Sequence, residues 1–297
     1  MDAGLRERKI YRVTLLGSSI NVVLLVIKFV AGILGGSAAM IADAVHSLSD
    51  FLTDIIVIAF VRISSKPEDD DHDYGHGKYE TLATSIIGLA LLLVGLYIFY
   101  NGMRQVIDLM NGAEIHQPGA VAFVVALVSV ALKEFTYRFT MKVGKEVDSQ
   151  VVVANAWHHR SDSLSSVAAA IGIGGAILLG RQWAVLDPIA AVLVSVFIVK
   201  AALSLVISSS NDLLEKSLPR EVENEIMDIA RRESDVSDIH HLCTRHIGNN
   251  IAVEMHLRMP GSLTLSDSHQ HATNIECALR KRFGEHTHII IHVEPLK

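Results

Sequence analysis

The chain has 297 residues, of which half are hydrophobic and 20% are charged, and its mean hydropathy is +0.37. This composition is too apolar for an ordinary soluble domain. A net charge of -6 offers no basic surface for nucleic acid, and two cysteines exclude a disulfide framework. Fifteen histidines are the unusual number, and an excess of histidine indicates metal or proton chemistry.

Long apolar segments predict an integral membrane protein, because a bilayer core takes about 20 consecutive apolar residues per helix. Hydropathy predicts six spans, at 13–34, 38–62, 82–103, 118–141, 150–179 and 184–208. The first span is too long for a signal-peptide core and no small-residue cleavage site follows it, so we expect it to be retained. Lysine and arginine are concentrated on one side of the spans, which predicts that both termini are cytoplasmic.

A change in composition divides the chain into residues 1–208, the predicted transmembrane domain, and residues 209–297, a predicted soluble cytoplasmic domain. Periodicity predicts five elements in the second part: a helix at 219–233, strands at 239–247 and 251–259, a helix at 265–283 and a strand at 287–293. The order α-β-β-α-β predicts helices packed on one face of a small sheet. The fold class is therefore an α-helical membrane protein with a C-terminal α+β domain.

Two predicted spans carry polar residues on one helical stripe: Asp43, His46, Asp50 and Asp54 in the second span, and Asn155, His158, Asp162 and Ser165 in the fifth. Within each stripe a histidine and an aspartate are spaced i, i+4 and therefore point the same way. A carboxylate near the bilayer centre costs about 2.5–3.5 kcal/mol, so two matched pairs indicate a function. Two imidazoles and two carboxylates suit tetrahedral Zn²⁺, whereas Mg²⁺ and Ca²⁺ prefer six or more oxygens. The structural alternative is a polar network that only holds helices together.

Two further regions contain clustered histidines. The connection 66–78 holds five carboxylates and two imidazoles, and is either a solvated acidic loop or a metal-attracting loop with a defined turn at the glycines around His76. In the terminal domain, His240, His256 and His292 with Glu294 converge if the strands pair. Surface or core roles are predicted for His241, His246, His286 and His288, and small buried roles for Cys243 and Cys277.

Through the segments ADAVHSLSDFLTD, DDDHDYGHGKYE and NAWHHRSDSLSS and the histidine-bearing terminal domain, the chain resembles the cation diffusion facilitators, close to the bacterial ferrous-iron and zinc efflux pump type. The resemblance implies a homodimer with six helices per protomer that exports a divalent cation in exchange for protons. It implies a transport site of His46, Asp50, His158 and Asp162, a loop site of Asp69, His72 and His76, and a binuclear terminal site of His240, His256, His269, His292 and Glu294.

Two positions depart from the family pattern. Several bacterial relatives have aspartate where this chain has His46, which makes the site resemble the zinc-selective branch, and Glu294 stands where the family has aspartate. Lys78 and Glu215 resemble the family's charge interlock at the membrane surface of the dimer, again with glutamate in place of aspartate.

The sequence thus predicts a proton-coupled Zn²⁺ exporter of the inner (plasma) membrane that is not an enzyme. Fe²⁺, Cd²⁺ and Mn²⁺ are the alternative ions, and the expected partners are the bilayer, a second copy of the chain, divalent cations and protons, without nucleic acid. The alternatives from other classes are a membrane-embedded metal sensor and an intramembrane zinc hydrolase. A hydrolase needs an open coordination position and a general base, whereas the predicted site has four ligands.

Overall fold

The computed structural model describes residues 3–64, 66, 68–113, 117–146, 150–248 and 250–296. Within these ranges, the side chains of residues 3–11, 53, 54, 56–62, 64, 150, 151, 154, 155, 158 and 161 are outside the description. The chain forms two compact units, one of residues 1–55 and 87–204 and the other of residues 56–86 and 205–297. Segment 56–86 therefore groups with the terminal residues, although the predicted boundary at 208 places it in the first domain.

Six long helices account for most of the first 213 residues: α1 (Ala3–Leu34), α2 (Ala38–Ser64), α3 (Lys78–Met110), α4 (Ala120–Glu146), α5 (Gln150–Leu178) and α6 (Leu186–Leu213). Each predicted span falls on one of them. Four segments of the described residues are long and apolar enough to cross a membrane: Arg12–Leu34, Lys78–Met110, Ala120–Glu146 and Arg181–Leu213. The helical transmembrane domain is thus confirmed, whereas the count of six spans stays a prediction.

Small residues allow the helices of the first unit to approach closely. Ala31, Ala122, Ala126 and Ala169 are almost fully buried in one apolar cluster of this unit. A Cβ atom on Gly35 would lie 2.9 Å from the Ala122 Cβ atom, so this crossing requires glycine. The same cluster contains Ala39 and Met40 of α2 and Ala169 of α5, so both helices that carry the polar stripes pack against it.

The terminal residues form α7 (Arg220–Arg231), β1 (Asp238–Ile247), β2 (Asn250–Met259), α8 (Leu265–Phe283) and β3 (His288–Pro295), as the sequence predicts. The sheet order is β1-β2-β3, with β1 antiparallel and β3 parallel to β2. Side chains from the two helices and from the central strand share one buried cluster that includes Ile226, Met255, Leu257, Ile275 and Leu279. The helices therefore cover one face of the sheet, and the other face is left open for polar side chains.

Candidate metal sites

The first candidate site lies between α2 and α5. His46, Asp50 and Asp162 each offer a ligand atom within 4.8 Å of the others. Asp162 is buried, and the other two residues are half-buried. His46 Nδ1 is buried without a hydrogen-bond partner among the described residues. An orphaned buried nitrogen is costly, and a bound cation would satisfy it. His158 begins the turn of α5 that ends at Asp162, but its side chain lies outside the described residues.

Asp43, which the stripe aligns with His46, has a different partner. Its Oδ2 atom lies 2.7 Å from Lys28 Nζ, and both side chains are completely buried. Lys28 also donates to Ser47 and Ser166 at 3.0 Å each. Asp43 accepts hydrogen bonds from Ser165 and Ser166 at 2.8 and 3.1 Å. An ion-pair network thus joins α1, α2 and α5 beside the candidate site.

Sequence reasoning missed Lys28 because it sits within the first apolar span. The available signal was the presence of an ionisable residue in that span, since such residues pair inside the bundle. A second buried lysine, Lys133 on α4, donates to the Asp162 carbonyl oxygen at 3.3 Å. His159, by contrast, packs towards Gly17 of α1, where a Cβ atom would come within 3.2 Å of His159 Nε2.

The second candidate site is in the connection between α2 and α3. Asp69, His72 and His76 offer ligand atoms within 4.8 Å of one another. The Asp69 carboxylate lies 3.1 Å from His72 Nδ1 and 3.3 Å from His76 Nε2, and the two rings are 4.2 Å apart. Desolvation acts to raise the pKa of Asp69, but hydrogen bonds from His72 and the Asp71 backbone outweigh it and lower that pKa. The predicted turn is present, because Gly75 has a φ of 70°.

The third candidate site lies on the open face of the terminal sheet. His240 pairs with His256 across β1 and β2, and His256 pairs with His292 across β2 and β3. The Glu294 carboxylate lies 3.1 Å from His256 Nδ1, 3.5 Å from His240 Nε2 and 3.9 Å from His292 Nε2. The hydrogen bond with His256, helped by Arg258, lowers the pKa of Glu294 and so favours its ionised form.

One predicted ligand of the terminal domain lies apart from this cluster, and two cysteines of that domain are not buried as predicted. His269 is exposed on α8, outside the three-residue group of His240, His256 and Glu294. Cys243 and Cys277 are both exposed, so their predicted burial is wrong. Their apolar character did not decide their placement, because β1 and α8 bury only the side chains that face the shared core.

The charge pair predicted from Lys78 and Glu215 is present as an ion pair within the second unit. Arg245 extends it, since Arg245 Nε lies 2.8 Å from Glu215 Oε2 and Arg245 NH1 lies 2.9 Å from Glu254 Oε1. The start of α3, the turn after α6 and the sheet are therefore linked electrostatically.

Two family profiles match the chain: "Cation efflux transmembrane domain" over residues 14–214 and "Cation efflux protein, cytoplasmic domain" over residues 218–296. The chain is similar to the manganese efflux system protein MneP of Bacillus subtilis, at 32% identity over 98% of this chain and 97% of that protein. It is similar to magnetosome protein MamM of Paramagnetospirillum magneticum, at 30% identity over 89% of this chain and 81% of that protein. A solved metal-bound C-terminal domain of the CzcD transporter from Thermotoga maritima is 24% identical, covering 25% of this chain and 87% of that one with a TM-score of 0.24.

Apolar spanning helices, a partly buried ligand cluster among the helices and a cytoplasmic α+β domain define a multi-pass membrane protein that handles metal cations. The chain belongs to the cation diffusion facilitators, a family of divalent-cation efflux transporters.

Proposed function

We propose that this protein is a proton-coupled Zn²⁺ exporter of the inner (plasma) membrane, built as a homodimer with six spanning helices per protomer and cytoplasmic termini. The observation that carries the proposal is the cluster of His46, Asp50 and Asp162, with its orphaned buried imidazole nitrogen. His158 would complete a tetrahedral site of two nitrogens and two oxygens. Two carboxylates balance a divalent ion, and a neutral complex is the form that a low-dielectric site tolerates best.

Zinc is proposed over manganese because of ligand chemistry. Imidazole suits Zn²⁺, whereas Mn²⁺ prefers carboxylate, carbonyl and water oxygens. Manganese is the second candidate ion, because the relative MneP is named as a manganese efflux protein. Iron and cadmium remain further alternatives, since imidazole and carboxylate ligands do not exclude them.

Proton coupling follows from competition for the same ligand atoms. Zinc needs neutral imidazole and ionised carboxylate, and its binding releases protons. When the site faces the side of lower pH, protonation of His46 and the aspartates weakens coordination and the ion leaves. Alternating access would expose the site first to one side of the membrane and then to the other.

Flux through reconstituted vesicles tests this proposal. The purified full-length chain in vesicles with an imposed pH gradient is expected to move Zn²⁺ against protons, and to move Mn²⁺, Cd²⁺ and Fe²⁺ more slowly. Dissipating the gradient with a protonophore is the control, and it should slow zinc flux. If the vesicles showed saturable Mn²⁺ flux and no Zn²⁺ flux, manganese rather than zinc would be the transported ion. Absence of flux for all four ions would favour a metal sensor, or a zinc hydrolase if the protein cleaved a peptide.

Replacing His46 with aspartate is expected to shift selectivity from Zn²⁺ towards Cd²⁺ and Mn²⁺, by about tenfold in the ratio of transport rates. The change converts two nitrogens and two oxygens into one nitrogen and three oxygens and adds a negative charge. Competition between metals in the vesicle assay measures the ratio. His286→Asp is the matched control, because it makes the same exchange at an exposed position in the turn before β3. An unchanged ratio in His46→Asp would remove His46 from the selectivity-determining ligands.

We further propose that the terminal site, formed by His240, His256, His269, His292 and Glu294, binds zinc to stabilise the dimer, and that Asp69, His72 and His76 form a separate loop site. A ligand that binds only the folded dimer stabilises it by mass action. Zinc is therefore expected to raise the melting temperature of the full-length protein, and a His240→Ala, His292→Ala double variant should lose most of this rise while still transporting zinc. Identical melting shifts in parent and variant would reassign these histidines to surface roles.

A further inference from the structure

An irregularity in β1 changes which histidines face the open side of the sheet. His240 pairs with His256 and Cys243 pairs with Glu254, so β1 has one more residue than β2 between these pairs. This is the arrangement of a β-bulge, which re-aims side chains. His241 lies at the bulge with a φ of 55°, in the left-handed region that most side chains avoid.

The packing of neighbouring residues fixes the direction of His241. Ile239 and Leu242 both pack against the buried cluster beneath the sheet, although in a regular strand residues three apart face opposite sides. The two residues between them, His240 and His241, are therefore both on the open face. The His241 ring centre lies 5.1 Å from that of His256.

This distance suits shared coordination. Two imidazoles bound to one tetrahedral zinc at about 2.0–2.1 Å have ring centres roughly 5 Å apart. The rings of His240 and His292 lie 5.5 and 4.7 Å from that of His256, so His241 stands at a comparable distance from the central histidine. His241 is exposed, and its ring can rotate towards the site without displacing packed neighbours.

We propose that His241 is an additional metal ligand of the terminal site, supplied by the bulge, and that it favours Zn²⁺ over Mn²⁺ there. The inference rests on the proposed zinc-binding role of this domain. A further imidazole raises the nitrogen content of the ligand set, which favours zinc over manganese. Strained backbone conformations are concentrated at functional sites, so a ligand role for His241 would account for its left-handed conformation.

Zinc binding to the full-length protein tests the proposal, in a background of Asp69→Ala and Asp162→Ala that disables the other two candidate sites. Chelator competition gives zinc and manganese affinities, and thermal melting gives stability with and without metal. His241→Asn is the informative variant, because asparagine tolerates positive φ but is a poor zinc ligand. His286→Asn is the matched control, since His286 is exposed in the turn before β3. His256→Ala removes the central ligand.

The expected result is that His241→Asn weakens zinc binding about tenfold, weakens manganese binding less, and melts no lower than the background protein when metal is absent. His286→Asn should match the background, and His256→Ala should abolish binding. Unchanged zinc affinity in His241→Asn, with binding lost in His256→Ala, would overturn the role of His241 and leave the terminal site intact. If His256→Ala also bound zinc normally, the terminal site itself would be refuted, and the ligand role of His241 with it.

Discussion

Replacing either Asp50 or Asp162 with asparagine is expected to reduce zinc flux by more than about 100-fold, because even the loss of an outer-shell partner costs 10–100-fold in metal affinity or activity. Asparagine keeps the volume of the side chain but removes its charge. The remaining ligands would then leave excess positive charge in a buried site once the ion binds, which is a costly arrangement in a low-dielectric environment.

Vesicle flux measures the effect, and size-exclusion chromatography of each variant establishes that it remains folded and associated. Asp108→Asn is the matched control, because Asp108 is exposed on α3 and its only described ion pair is with Arg104 at 3.8 Å. Alanine at either site position should give the same loss as asparagine. Near-normal zinc flux in Asp50→Asn or Asp162→Asn would show that the cluster between α2 and α5 is not the transport site.

Patterns of period 3.6 and period 2 were sufficient to predict the elements of the terminal domain, because each strand and helix buries one regular set of apolar side chains. α8 begins and ends where the pattern predicts, at Leu265 and Phe283. The side of the sheet on which His241 lies could not be predicted from such a pattern. A single inserted residue in β1 reverses the alternation locally, and nothing in the composition of the strand marks the insertion.

The candidate site was predictable to the extent that it depends on spacing within one helix. The pair of His46 and Asp50 lies on one face for that reason, and Asp162 meets it across the bundle. Asp43 shares the same stripe, yet its partner comes from α1. The sequence contains no direct measure of which helix neighbours which, so the distinction between a metal ligand and a member of an ion pair required tertiary contacts.

Removing Lys28 from its ion pair with Asp43 is the second change for which we expect a large effect. Lys28→Met should destabilise the transmembrane domain by about 3–5 kcal/mol, because removal of one partner leaves an uncompensated buried charge. The orphaned Asp43 carboxylate would have to take up a proton or draw in water, and the hydrogen bonds that tie α1 to Ser47 and Ser166 would be lost. We expect zinc flux to fall as well, because His46 lies one helical turn from Asp43 on α2.

A double-mutant cycle separates the interaction energy between Lys28 and Asp43 from the effect of replacing each side chain alone. Lys28→Met combined with Asp43→Asn should be more stable than the sum of the single variants predicts, since it leaves no unpaired buried charge. Lys200→Met is the matched control, because Lys200 is exposed on α6 and its loss should change stability by less than about 0.5 kcal/mol. Denaturant titration in detergent measures the four variants, and zinc flux is measured in parallel. Strictly additive losses would mean that Lys28 and Asp43 act independently, and that the short contact between them does not hold α1 to α2.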